Sequence, residues 1–229
     1  MGEADEGYGE REGEQGGLMQ RTKIEYADYV WNPIKGLCPV ACSYCYARRI
    51  YQRFKRDPEI RLDLDELMAD FPKKPSQIFV CSTFELFHPL ADPYRNNVFK
   101  HISLEPQHTF IILTKMPERI DRPMPENVWL GTTVTNDNDY VRKAYLMNQT
   151  AKIRFVSYEP ILNPIQKEFV FGLDWIILGR LTGHGHEHDP DHKLITSFID
   201  TARDLGVPIF LKNNLREIWG EPLIQEFPK

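Results

Sequence analysis

Cys38, Cys42 and Cys45 fall within eight residues of one another, in the stretch LCPVACSYCYAR over 37–48, and the chain has only one further cysteine, Cys81. A C-x3-C-x2-C spacing is not a disulfide framework. Crowded cysteines in a reducing compartment point instead to a metal or to catalysis. Thiolates hold iron–sulfur clusters, and four of them would complete a 4Fe–4S cube. Three leave one iron without a protein ligand, and an open coordination position is what separates catalytic metal sites from structural ones. The alternative is a zinc knuckle that recruits Cys81, or His88 in FELFHP, as its fourth ligand. Zinc sites more often use paired C-x2-C arrangements, and this chain has no second pair, so the open cluster is the expected reading. Cys81 by itself fits a small buried hydrophobe at a strand end.

An unligated iron suits S-adenosylmethionine, whose α-amino and carboxylate groups can chelate it. One electron then splits the sulfonium carbon–sulfur bond and yields a 5′-deoxyadenosyl radical, the cofactor carrying the hard chemistry while the protein orients it. With Tyr44 before Cys45, the loop reads C-x3-C-x-aromatic-C and resembles the radical SAM superfamily. Further phrases resemble a narrower group, the phage-type radical SAM proteins distantly related to spore photoproduct lyase. They are TKIEYADYVWNPIKGLC (22–38), IFVCSTFELFH (78–88), ILTKMPERI (112–120), VWLGTTVTN (128–136), IRFVSYEPIL (153–162), LDWIILG (173–179) and GVPIFLKN (206–213). The resemblance implies a 4Fe–4S cluster on the three cysteines and S-adenosylmethionine beside it. The backbone around Tyr44 and Tyr46 would meet the adenine, and Ser82 and Thr83 the amino group. Thr133, Thr135, Ser157 and Glu159 would hold ribose hydroxyls and the carboxylate. Each of these could equally cap a following helix or form a turn. An electron donor such as a ferredoxin or flavodoxin is implied as a partner. Two departures stand out: GRLTG (179–183) lacks the acid of the usual Gly-Gly-Glu-Ser-Gly loop, and STFELF keeps an acid at Glu85.

These residues need elements to position them. Near-continuous apolar runs at 28–34, 77–82, 109–114, 128–134, 152–158, 174–179 and 208–212 predict strands buried on both faces of a parallel sheet. Helices are predicted at 45–56, 64–70, 93–103, 137–148 and 192–205. The last should end at Gly206 in a left-handed C-cap, with Pro208 opening the next strand. Alternation of this kind means βαβ units and a partial or near-complete (βα)6–7 barrel with a parallel sheet. Chemistry then gathers at the carboxyl ends of the strands, where Ser82, Thr83, Glu85, Thr114, Lys115, Thr133, Thr135, Ser157 and Glu159 fall, as does the cysteine loop.

The formal charge of −5 is concentrated at one end. Residues 1–17 hold six acids and one arginine, and removing these from 33 and 28 leaves 27 of each sign. Residues 1–20 are therefore expected to be a disordered acidic tail, and 21–229 one domain. No apolar run is long enough to span a membrane, and no signal peptide opens the chain, so a cytoplasmic location is expected. The one local basic feature is the helix after the cysteines, where Arg49, Arg53 and Arg56 share a face that could follow phosphates, a solvated face being the commoner use. GHGHEHDPDH (183–192) has the Gly, Asp and Pro content of an exposed loop.

The expectation is an enzyme that cleaves S-adenosylmethionine reductively and abstracts hydrogen from an unidentified substrate, nucleic acid being one candidate and a peptide or small metabolite others. Glu85, Lys115 and Arg180 are the residues expected to touch that substrate. A non-catalytic, zinc- or cluster-stabilised binding module is the rival.

Overall fold

Apolar runs alternate with amphipathic stretches along this chain, and in the computed structural model, which describes residues 19–163, 166–183 and 185–229, they pair as one large sheet. In chain order the elements are β1 (Gln20–Arg21), β2 (Tyr29–Trp31), β3 (Ile34–Lys35), α1 (Tyr46–Arg53), β4 (Arg61–Leu62), α2 (Leu64–Leu67), β5 (Gln77–Val80), α3 (Asp92–Leu104), β6 (Thr109–Thr114), β7 (Val128–Val134), α4 (Tyr140–Met147), β8 (Ile153–Tyr158), β9 (Trp175–Leu178), α5 (His192–Leu205), β10 (Ile209–Leu211) and α6 (Arg216–Trp219). The sheet order is β1-β2-β5-β6-β7-β8-β9-β10, and every pairing is parallel except β1 with β2. β3 and β4 form a separate antiparallel pair.

The two faces of the sheet are buried in different ways. Side chains alternate along a strand. One set, including Ile78, Phe110, Ile112, Leu130, Val156, Tyr158, Ile176 and Leu211, packs under helix residues such as Val98, Ile102, Leu146, Phe198 and Ala202. The other set comprises Val30, Phe79, Ile111, Phe155, Trp175, Ile177 and Phe210, joined by Tyr26, and no buried helix residue belongs to it. Tyr26, from the segment leading into β2, meets Trp175 of β9 and Phe210 of β10 edge-on at 5.7 and 5.8 Å. Phe227 stacks on Trp175 at 5.6 Å, and the Trp175 indole N–H donates to the Glu226 carbonyl at 2.8 Å.

Local chemistry explains the boundaries. α5 buries Ile195, Phe198, Ile199 and Ala202 on one stripe, Asp191 caps its first turn by accepting from Lys193 N–H at 2.8 Å, and Gly206 closes it at φ 65°. Three predicted helices are shorter than expected, and that expected over 64–70 is α2, Leu64–Leu67. α1 stops at Arg53 with Lys55 at φ 48°, and the residues ahead of α4, Asp137–Asp139, form a 3-10 turn. β1, β3, β4 and α6 are too short to show a period and escape a reading by pattern. Met19 is buried and Gln20 pairs with Val30, so folded structure begins by residue 19; the acidic tail expected ahead of it lies outside the described residues up to 18. No described helix is long and apolar enough to cross a membrane.

Candidate functional site: a three-thiol loop over a polar strand edge

The cysteine loop leaves the end of β3 through a crossing that only glycine permits. Gly36 sits at φ 117°, and a Cβ there would lie 2.7 Å from the Glu59 carbonyl oxygen and from Ile60 Cα. Gly36 N–H donates to the Tyr51 hydroxyl at 2.9 Å, and Leu37 N–H to the Pro58 carbonyl at 3.0 Å. The Arg48 guanidinium, from α1, donates to the Cys38 carbonyl at 2.8 Å, and Cys45 N–H to the Cys42 carbonyl at 3.1 Å. Cys45 is the N-cap of α1. Cys38, Cys42 and Cys45 are all half-buried and free, whereas Cys81 is buried at φ 53°. Burial pushes the Cys38 thiol up, while the backbone N–H groups of Val40 and Glu85 donate to it and pull the other way. Burial drives Cys81 to about 12, making it an inert core thiol beside Ile34, Lys35 and Glu66. His88 caps the turn at Pro89, its Nδ1 accepting from Leu90 N–H at 3.2 Å.

Beyond the aromatic set on the helix-free face, the same alternation places polar residues at the carboxyl ends of the strands: Asn32 after β2, Lys115 after β6, Thr133 in β7, Ser157 in β8, Glu159 after β8 and Lys212 after β10. Ser82 reaches the same edge out of that alternation, past Cys81 at φ 53°. They pair with one another. Ser82 Oγ donates to Asn32 Oδ1 at 3.1 Å, Lys115 Nζ to Thr133 Oγ1 at 3.3 Å, and Lys212 Nζ to Glu159 Oε1 at 2.5 Å. Lys212 also lies 3.7 Å from Glu25. Burial opposes its ammonium, yet Glu159, Tyr26 and Glu25 together raise its pKa above that of an ordinary lysine. Ser157 Oγ is fully buried and has no hydrogen-bond partner among the described residues.

The loop and this polar edge meet at Tyr44. Lys115 Nζ lies 5.9 Å from the Tyr44 ring centroid, and burial raises the Tyr44 phenol, with Arg142 opposing. A hollow of about 340 Å³ opens beside the loop, lined by Ser43, Tyr44, Leu162, Asn163, Leu181 and His188.

The structure therefore brings together several residues expected from the sequence: the three cysteines with Tyr44, Lys115, Thr133, Ser82 and Tyr46, whose hydroxyl donates to the Ser82 carbonyl at 3.3 Å. Others are engaged differently. Thr135 donates both its N–H and its hydroxyl to Asp139 Oδ2, at 2.8 and 2.9 Å, which fixes the turn before α4. Thr83 sits in the turn after β5. Glu85, expected to face a substrate, is instead buried and accepts from Thr114, Lys115 and Phe87. Arg180 is held by Asp189 at 2.8 Å and Glu217 at 3.0 Å. The arginines of α1 do not act as one free stripe: the Arg49 guanidinium rests near Gly183, and Arg53 and Arg56 lie over the Phe54 ring at 5.4 and 5.8 Å. In the histidine-rich loop, His186 pairs with Asp189 at 2.7 Å and His192 stacks on Trp219 at 4.9 Å, while His184 lies outside the described residues. Lys212 and Glu25 were missed. The strand alternation in PIFLK would have placed Lys212 on the Phe210 side, but nothing local signals its partner far along the chain.

Fold and site define an α/β protein with a three-thiol loop at the carboxyl edge of a mostly parallel sheet. Residues 21–223 match the family described as "Protein of unknown function (DUF5131)", and the chain belongs to that family. This corrects the resemblance drawn from the sequence: the match is to DUF5131 and to no radical SAM family. A motif of eight residues and a string of short phrases do not carry a family assignment against a match over nearly the whole folded body. No curated protein and no solved structure matches the chain.

Proposed function

We propose that the protein is an iron–sulfur enzyme that cleaves S-adenosylmethionine reductively, with Cys38, Cys42 and Cys45 holding a 4Fe–4S cluster. The proposal stands on the donor set and its surroundings, independently of the corrected family resemblance. The single observation that carries it is three half-buried free thiols on one pinned loop, facing a polar strand edge, while the fourth cysteine is turned into the core. The donor chemistry fits: three thiolates are the ligands that an iron–sulfur cluster takes, spread over separate irons. Cys38, Cys42 and Cys45 would hold such a cluster, and it would supply one-electron reductive cleavage of the sulfonium, with an external donor of the ferredoxin or flavodoxin class as the source of the electron.

The chain's own residues have separate tasks. Arg48, Tyr51 and the 58–60 crossing hold the thiol loop against the sheet edge. Ser157, with a buried hydroxyl that no group among the described residues meets, is the natural partner for a ligand hydroxyl. Thr133 and the Glu159–Lys212 pair supply donors and acceptors on either side of it. Tyr44 links the two regions, its ring 5.9 Å from Lys115 Nζ and also lining the hollow beside the loop, which is the route for the substrate. We read the sheet as an incomplete barrel: among the described residues no buried helix residue belongs to this buried face, and Tyr26, which leads into β2, meets Trp175 of β9 and Phe210 of β10.

The test is anaerobic purification with iron and sulfide analysis, then incubation with dithionite and S-adenosylmethionine. About four irons per chain and release of 5′-deoxyadenosine, both lost in Cys42→Ala, are expected. A colourless protein holding zinc, or a loaded protein that releases no 5′-deoxyadenosine, overturns the proposal.

A further inference from the structure

The hollow beside the thiol loop adjoins a surface of one charge sign. Residues 36–56, which hold the loop and α1, include five basic residues and no acid, in a chain that has 28 basic and 33 acidic residues. Arg48 turns inward to the Cys38 carbonyl. Of the other four, Arg49, Arg53 and Lys55 are exposed and Arg56 is half-buried. The Arg49 guanidinium reaches Gly183, where an added Cβ would sit 3.2 Å from one of its nitrogens, and Leu181, two residues earlier, lines the hollow. Among the described residues neither Arg49 nor Lys55 pairs with an acid. Aromatic rings are interleaved with these cations. Tyr44 lines the hollow, Tyr46 at the start of α1 is 39% exposed, and Phe54 at its end is 55% exposed with Arg53 and Arg56 over its ring.

We infer that the substrate is a nucleotide of a single-stranded nucleic acid, its base in the hollow and its neighbouring phosphates along α1 and the turn after it. The inference rests on the function proposed above and names its substrate class. Cations interleaved with exposed rings suit a single strand, whose phosphates meet the charges and whose bases stack on the rings. Arg49 and Arg53 lie about 6 Å apart along the helix, a span of one to two nucleotides at about 3.4 Å each. The hollow, at about 340 Å³, is at the small end for a ligand pocket and takes one unstacked base rather than a length of polymer. Tyr44, Leu162 and Leu181 offer it apolar walls, and Ser43, Asn163 and His188 offer donors and acceptors for a base edge. An acidic protein would meet the same cations but has no planar unit for that hollow.

The experiment is fluorescence anisotropy of the anaerobically reconstituted full chain with a short single-stranded DNA of mixed sequence, the same sequence as RNA, and the DNA duplex, over a range of salt. One single strand or both should bind about tenfold or more tightly than the duplex, whose bases must be unpaired first. Arg49→Ala/Lys55→Ala should flatten the slope of log K against log salt by about 1.4, two phosphate contacts at about 0.7 each. Phe54→Ala should weaken binding at least about fivefold and leave the slope unchanged. In wild type, a strand carrying 4-thiothymidine should crosslink to Tyr44, Leu181 or His188. No strand binding by the loaded wild type, equal affinity for the duplex, a slope unmoved in the double variant, or crosslinks confined to other parts of the chain overturn the inference and leave the proposed function standing. Polyglutamate bound as tightly as the strand, with Phe54→Ala affecting neither, makes the face a dock for an acidic protein and overturns the inference too. Strand binding by a chain that takes up no cluster overturns the proposed function, and the substrate role with it.

Discussion

Two tiers of the helix-free face lie only two to four residues apart along the same strands, yet they are built on opposite rules. The lower tier, with Phe79, Ile111, Phe155, Trp175 and Phe210, is closed by aromatic edges packed at 5.3–6.0 Å around Trp175. The upper tier, with Ser82, Lys115, Thr133, Ser157, Glu159 and Lys212, has hydrogen-bonded pairs and one hydroxyl left over. The comparison shows how one ladder of parallel pairing serves two ends. Below, close packing fixes the strands; above, the fixed strands hold polar groups at positions that packing alone would not tolerate.

Substitutions that treat the tiers alike should reveal the difference. The largest effect belongs below: Trp175→Ala removes the ring on which Tyr26, Phe155, Phe210 and Phe227 converge, and should cost about 3–5 kcal/mol in urea unfolding. Lys212→Met comes next. It leaves Glu159 and Glu25, both mostly buried, without their cation, at a cost of about 2–4 kcal/mol. The sign of its pH dependence follows from the raised lysine pKa. The stabilisation is fully present below the ordinary lysine value of 10.5 and is lost as pH rises through the higher folded value. The gap between wild type and variant should thus be flat from neutral pH to about 10 and narrow only beyond it; a gap that closes already at pH 8 contradicts the pairing. Gly131→Ala should cost about 1–3 kcal/mol, because a Cβ there lies 2.3 Å from the buried Phe155 ring. Ser157→Ala should change stability by less than about 0.5 kcal/mol, since its hydroxyl has no partner to lose. On the proposed function it should nevertheless weaken S-adenosylmethionine binding, and an unchanged Kd by calorimetry would remove Ser157 from the site. Smallest of all, iodoacetamide on the metal-free native chain should label the loop cysteines and spare Cys81, which peptide mapping would show.

Much of the lower tier was legible in the sequence. The runs at 109–114 and 128–134 coincide with β6 and β7, the run at 28–34 splits into β2 and β3, the others differ by one or two residues at their ends, and Gly206 caps α5 as its position in LGVP implied. Buried parallel strands announce themselves because both faces must be apolar. The upper tier was legible only in part. Pattern places Ser157 and Glu159 at a strand end but cannot tell which turn residues face inward, so Glu85 looked like a substrate group when its carboxylate is buried. The crossing of Gly36 by residues 58–60 and the Lys212–Glu25 tie join segments with no local signature. The family assignment failed for a related reason: short phrases at strand ends reflect what a parallel sheet demands of any chain at those places.

The tie between Glu25 and the end of β10 also has a consequence for the life of the molecule. Asn213 N–H donates to Glu25 Oε1 at 2.9 Å across 188 residues of sequence. A chain emerging from the ribosome presents its three thiols early, long before the segment that completes the rim opposite them has been synthesised. The rim that shelters those thiols in the folded chain is complete only once β10 and Asn213 have been synthesised.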